Sequence, residues 1–309
     1  MESTSFLVWP QIYISIISWN INSVKTKLEK RNVSDMLNDY DIISLNEIKI
    51  PLSVSYPGYV SIPSRDSNNP NRGGTCVLIK NYLRSQVTQV DISKPDQVWL
   101  QLKCQPGILF GFLYIPPHDS PYFSESSFSY IQEKIKESTA SSYLIIGDIN
   151  ARFGRKVNDL PSHLDKSDLS YPVIPDPVLN PNSNANLMYS ICCDEKLLIV
   201  NNAKVNNKVF NSSCTYKQGA VWVSEVDICA ISLNLAELVE NFKVNQDMTL
   251  PSDHAPISFN LKMNVDLSSL CDRAASLGDH GTCHPSQNTK ILRKTVKYSQ
   301  IDHSSFLAN

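Results

Sequence analysis

Residues 142–150, "SYLIIGDIN", run through four apolar side chains and close on Gly147, Asp148 and Asn150. The stretch reads as a strand whose last residues leave the apolar layer carrying an acid and an amide. The same design recurs along the chain. "IYISIISWN" (12–20) ends at Asn20, "YDIISLNEIKI" (40–50) is a buried strand with Glu47 near its end, and "VWVSEVDICAIS" (221–232) carries Asp227. "SDHAP" (252–256) sets Asp253 and His254 side by side where the apolar run "ISFNL" begins. Strand ends gather at one edge of a packed sheet, so these five positions converge in a single cleft if the strands share a sandwich.

The remaining runs fit that picture. "GGTCVLIKN" (73–81), "SQVTQVDI" (85–92), "QVWLQLKC" (97–104) and "ILFGFLYIPP" (108–117) read as further strands, as do "LLIVNN" and "SCTYK". Helical spacing of apolar residues appears over 24–39 (Val24, Leu28, Val33, Met36, Leu37) and 126–138 (Phe128, Ile131, Ile135), and "NLMYSICCDEK" suits a third helix. Residues 151–183 are rich in Asn, Pro, Ser and Asp and read as a surface excursion. The expected architecture is α+β: a four-layered α/β sandwich, with two mixed β-sheets packed face to face and helices outside. One domain is expected over 1–264, followed by a poorly ordered tail over 265–309, where periodicity fades.

Composition sets outer bounds. The chain has 309 residues, 42% apolar and 19% charged, with a formal net charge of −2, so any nucleic acid must be met by a local patch. The eight cysteines form no C-x-x-C pair and mostly lie in apolar stretches, which fits buried free thiols in a reducing, intracellular compartment. The apolar N-terminus lacks a basic region and is interrupted by Pro10, Gln11 and Ser15, unlike a signal peptide. No run has the length of a membrane span, and no membrane partner is expected.

Converging carboxylates and amides with one imidazole form a hard-ligand set suited to Mg²⁺, with Mn²⁺ an alternative. Each residue also has a plain structural alternative. Asn20 can cap the following segment, Glu47 can pair with Lys49 in solvent, and "GDIN" can be ordinary turn chemistry.

Taken in order, "SWNIN" (18–22), "SLNEIK" (44–49), "GFLYIPP" (111–117), "IIGDINAR" (145–152), "SEVDI" (224–228) and "SDHAPI" (252–257) resemble the endonuclease/exonuclease/phosphatase superfamily. The resemblance spans about residues 12–262. Within it, "RGGTCVLIKN" (72–81), "YIPPHDSPY" (114–122), "GDINARFG" (147–154) and the Thr215, Ser224, Asp227 pattern are most similar to the AP-endonuclease-like endonuclease domain of LINE-type non-LTR retrotransposon proteins. Ser23 departs from the Gly that many relatives carry there.

That resemblance implies a DNase I-like fold and metal-dependent hydrolysis of DNA phosphodiester bonds. The implied metal ligands are Glu47, Asn20 and Asp253. The implied catalytic groups are Asp148 and Asn150 toward the attacking water, His254 oriented by Asp227, and Tyr114 toward the phosphate. Asn22, Arg152, Arg155, Thr215 and Ser224 are the expected substrate contacts, with Arg65, Arg72 and Lys156 near the same rim. Double-stranded DNA is the implied partner, with a reverse-transcriptase domain expected in the full-length element, a monomeric state and action in the nucleus. An AP endonuclease or other phosphoesterase of the superfamily, or a catalytically silent copy used for binding, are the alternatives.

Overall fold

The computed structural model describes residues 11–49, 54–66, 69, 71–103, 107–159, 169–172 and 175–264. The tail expected over 265–309 lies outside the described residues. The first half of the chain forms β1 (Gln11–Asn20), α1 (Arg31–Asn38), β2 (Ile42–Asn46), β3 (Tyr59–Ser64), β4 (Thr75–Lys80), β5 (Val87–Asp91), β6 (Gln97–Leu102), β7 (Ile108–Tyr114), α2 (Ser126–Glu137) and β8 (Ser142–Asp148). Then follow β9 (Leu169–Ser170), α3 (Ser183–Asp194), β10 (Leu197–Ile199), β11 (Lys204–Val205), β12 (Lys208–Val209), β13 (Tyr216–Gln218) and β14 (Val221–Ser224). The last strands are β15 (Asp227–Ser232), β16 (Val239–Val244) and β17 (Ile257–Asn264).

Two six-stranded sheets carry the fold, ordered β16-β17-β1-β2-β4-β3 and β10-β15-β8-β7-β6-β5. Both are mixed: β1 runs parallel to β2 and β7 parallel to β8, while the other neighbours are antiparallel. Strand alternation assigns the faces. From β1, Ile14 and Ile16 join Phe110, Phe112 and Ile146 of the second sheet in one apolar layer. Ile17 and Trp19 point the other way, onto Val33 and Leu37 of α1. Phe128, Ile131 and Ile135 of α2, with Met188 and Ile191 of α3, cover the second sheet. The result is the expected helix–sheet–sheet–helix sandwich. Each fully buried Ile or Phe side chain contributes about 1.5–3 kcal/mol relative to exposure.

One glycine sets how closely β8 meets its neighbour. Gly147 has φ +153°, and a Cβ there would lie 1.8 Å from the Leu113 carbonyl oxygen of β7. No other residue fits at that position, one step before Asp148.

The local departures from expectation have physical causes. The helix expected over 24–39 starts only at Arg31, because Asn22, Ser23 and Thr26 adopt positive φ. The Lys27 ammonium also ties up the Ile21 and Asn22 carbonyls. β3 escaped sequence reading because Pro63 interrupts it, yet it occupies an edge, where a missing N–H is tolerated. β16 is also an edge strand, and its register shifts around Asn241 at φ +55°. The run 221–232 expected as one strand is two, broken at Glu225 and Val226.

Candidate active site

On the inner face of β1 the series Ile14, Ile16 continues as Ser18 and Asn20, and β2 ends likewise in Ser44 and Asn46. All four polar residues are buried. The layer between the sheets therefore changes from hydrocarbon to hydrogen-bonding groups at one end. Into that end β8 delivers Asp148, which lies opposite Asp227 of β15 and opposite Tyr114 of β7 in the ladder.

The side chains form a chain of contacts. His254 Nδ1 lies 2.9 Å from Asp227 Oδ2, and its Nε2 lies 3.9 Å from Asp148 Oδ2. The Asn20 amide nitrogen donates to Asp148 Oδ2 at 2.8 Å and to Glu47 Oε1 at 3.0 Å, using both hydrogens on two carboxylates. Tyr114 hydrogen-bonds Glu47. Glu47 and Lys49 both sit at positive φ (50° and 49°), a conformation that costs a non-glycine residue about 1 kcal/mol and that clusters at functional sites.

His254 reaches this cluster from outside β17. It sits in an isolated bridge to Tyr216, after bends at 251–253, as an irregular backbone before Ala255 requires. Trp19 Nε1 donates to its carbonyl at 2.9 Å, and Ser252 Oγ accepts its N–H at 3.1 Å while donating to the Asn20 carbonyl at 2.6 Å. These three bonds fix the imidazole against β1. Asp253 turns elsewhere: its Oδ1 accepts from Asn22 Nδ2 at 3.1 Å. Lys49 Nζ in turn bonds Asn22 Oδ1 at 2.7 Å and Glu47 Oε2 at 2.5 Å.

The structure thus gathers Asn20, Glu47, Tyr114, Asp148, Asp227 and His254, with Asn22 and Asp253 beside them. The other expected residues lie differently. Asn150 gives its N–H to Asp148 Oδ1 and its side-chain amide to the Ile115 carbonyl, which orients the acid. Thr215 and Ser224 are buried, and the Thr215 hydroxyl accepts the amides of Val226 and Asp227, both at 3.0 Å. Thr215 thus supports the backbone at Asp227, and neither residue lies on an open face. Arg152 is paired with Asp176, and Arg155 is exposed on the 3-10 turn Gly154–Asn158. Sequence reasoning missed Asn46, whose Oδ1 accepts the Asp148 N–H at 3.4 Å, and the Trp19 and Ser252 supports of His254. The signal for Asn46 was available in its β2 alternation with Ser44.

Electrostatics separates the groups. Burial works against the His254 imidazolium, but Asp227 and Asp148 outweigh it and hold the ring protonated well above its ordinary range. Burial, and then the charge of Asp227, push Asp148 up, making it a stronger base than an ordinary carboxylate. Burial also raises Glu47, but Lys49 and the hydrogen bonds of Asn20 and Tyr114 reverse this and hold it below its usual value. The two neighbouring carboxylates therefore differ: Asp148 favours its protonated form and Glu47 its anion.

The donors also fit a cation. Ligand atoms of Asp148, Asp227 and His254 lie within 4.8 Å of one another, and Glu47 and Asp148 turn oxygens toward the same Asn20 amide. Oxygen-rich sets of this kind suit a hard divalent ion.

Residues 17–166 match the model of the Endonuclease/Exonuclease/phosphatase family, a family generally dependent on divalent metals. No curated protein matches the chain by sequence. Among solved structures, an AP endonuclease from Leishmania major superposes with a TM-score of 0.60 at 13% identity, covering 81% of this chain and 88% of that one. A 3′-5′ exonuclease from Neisseria meningitidis gives 0.58 at 17% identity, covering 80% and 99%. The endonuclease domain of TRAS1, a telomere-specific non-LTR retrotransposon, gives 0.55 at 15% identity, covering 82% and 100%. Residues 17–166 are thus similar to the Endonuclease/Exonuclease/phosphatase family, and the chain shares an AP-endonuclease-like fold with these solved structures.

Proposed function

We propose that this protein is a Mg²⁺-dependent DNA endonuclease that nicks double-stranded DNA and leaves a 3′-hydroxyl. In this reading it is the endonuclease part of a LINE-type non-LTR retrotransposon protein, its nick priming reverse transcription in the nucleus by an associated reverse-transcriptase domain. It acts as a monomer. The observation that carries the catalytic part is the continuous chain Asp227–His254–Asp148–Asn20–Glu47, in which a held imidazolium faces a carboxylate of raised basicity. The retrotransposon assignment rests on the motifs around "RGGTCVLIKN" and "GDINARFG".

In this mechanism a water attacks the phosphorus in line with the departing 3′-oxygen. Asp148, held by Asn20 and the Asn150 amide, orients that water and takes its proton. His254, anchored on Asp227, donates to a non-bridging phosphate oxygen as negative charge builds there. Tyr114, already hydrogen-bonded to Glu47, hydrogen-bonds the phosphate. Glu47 and Asn20, with Asp253 nearby, would hold Mg²⁺, which supplies charge neutralisation at the phosphate and the leaving oxygen. Binding of the flanking phosphates makes affinity sensitive to salt.

The test offers the purified protein intact duplex, duplex with one abasic site and an inositol phosphate, each with Mg²⁺. Comparable nicking of intact and abasic duplex, with no release of inorganic phosphate, is the expected result. Turnover dominated by the abasic duplex or by inositol phosphate would replace this reading with a repair or phosphatase role.

A further inference from the structure

The rim arginine Arg152 is held by a buried acid rather than left as a free DNA contact. Its guanidinium grips Asp176 through two bonds, Nε to Oδ2 at 3.1 Å and an Nη to Oδ1 at 2.9 Å. Asp176 is 2% exposed, and its Oδ2 also accepts the Glu225 N–H at 3.2 Å while Oδ1 accepts the Val178 N–H. One carboxylate therefore ties together two loops. The first leaves β8 through Asp148, Asn150 and Arg152. The second enters β15 at Asp227.

Further bonds make the tie rigid. On the first loop, Asn182 accepts the Arg152 N–H at 3.1 Å and donates its side-chain amide to the Asn150 carbonyl at 2.8 Å. Asn184 bridges the carbonyls of Ile149 and Pro116, just beyond Asp148 and Tyr114. On the second loop, the amides of Glu225, Val226 and Asp227 all donate to side-chain oxygens, the first to Asp176 and the next two to Thr215. Three consecutive amides withdrawn from the sheet break the strand there and set where Asp227 enters the ladder opposite Asp148.

We infer that Asp176 and Arg152 are positioning residues: their ion pair fixes the spacing of Asp148 and Asp227, and hence the orientation of His254 between them. Arg152 acts on turnover and not on DNA grip. The inference rests on the nuclease reading above. A bidentate pair is strongly directional, and removing Arg152 leaves the buried Asp176 carboxylate without its cation, so both partners must matter together.

The experiment compares wild type, Asp176→Asn, Arg152→Ala, Arg152→Lys and the Asp176→Asn/Arg152→Ala double variant. Three quantities are read: steady-state DNA nicking, the salt dependence of DNA binding, and the NMR signals of the His254 ring, with folding followed by thermal melts. Asp176→Asn and Arg152→Ala should each lower kcat roughly 10- to 100-fold with KM little changed, as for groups that orient catalytic ligands. The double variant should be no worse than either single, Arg152→Lys should recover part of the loss, and the salt slope should stay the same. The His254 ring signals should shift in every variant that loses kcat. A raised KM for Arg152→Ala with a salt slope lower by about 1, alongside normal kcat in Asp176→Asn, would overturn the inference in favour of a phosphate contact. So would a loss of rate that only follows the unfolded fraction. Should the wild type cleave no DNA, the nuclease reading falls alone. The His254 signals still decide the positioning, because unchanged signals in Asp176→Asn contradict it.

Discussion

The two ends of the layer between the sheets are equally buried and differently held. At one end β1 contributes Ile14 and Ile16, β2 Ile42, and β4 Val77 and Ile79. At the other the same strands contribute Ser18 and Asn20, Ser44 and Asn46, and Thr75, none more than 4% exposed. Burial does not distinguish them; bonding does. The apolar end is held by area and shape, which no single contact directs. At the polar end Ser44 Oγ has no hydrogen-bond partner among the described residues, but the amides and Thr75 are held by bonds that each need a partner at a set angle, such as Asn46 Nδ2 to Thr75 Oγ1 at 3.0 Å and Thr75 Oγ1 to the Asp96 carbonyl at 2.9 Å. The first kind of packing stabilises; the second aims side chains. Asp148 and His254 stand where the second kind begins.

Substitutions at the two ends should therefore separate activity from stability. The largest effect is expected at the polar end. Asp148→Asn removes the proposed proton acceptor and should lower the nicking rate roughly 10³-fold. Its melting temperature near neutral pH should be equal or higher, because burial, and then the charge of Asp227, disfavour the carboxylate that a neutral amide replaces. A parallel loss of stability would mean that Asp148 is structural. At the apolar end, Ile16→Ala should cost about 2–5 kcal/mol in denaturant unfolding, with kcat and KM per folded molecule unchanged. A kcat loss there would show that the two ends are not independent.

A smaller effect concerns Glu225, next to the junction. Burial raises its carboxyl to about 7, above the ordinary 4.5, against the hydrogen bonds of Ser212 and Asn201. Below pH 4.5 both folded and unfolded chains hold the proton. As pH rises toward 7 the unfolded chain loses it first, so stability falls across that window, by at most about 3 kcal/mol. Glu225→Gln should flatten this part of the stability–pH curve, and an unchanged curve would assign the slope to other groups.

The strand ends were legible because a polar residue closing an apolar run is conspicuous: Asn20, Asp148, Asp227 and His254 could each be seen, and the fold brings them together. What could not be seen is which way neighbours turn. Asp253 and His254 adjoin in sequence, yet one meets Asn22 and the other Asp227, because Trp19 and Ser252 fix the backbone between them. Thr215 read as a substrate contact, since nothing local reveals that its hydroxyl serves two amides more than ten residues away. Asp176 was hidden in an Asn- and Pro-rich stretch whose composition reads as surface. Its partners lie 24 residues before it and 49 after it.

The most direct test of the central claim is conversion of supercoiled plasmid to open circle by wild type and His254→Ala, with Mg²⁺ and with chelator. Expected are Mg²⁺-dependent nicking by the wild type with 3′ ends that a polymerase extends, nicking abolished by chelator, and a loss of roughly two orders of magnitude or more in His254→Ala. Nicking by His254→Ala at the wild-type rate would contradict the claim.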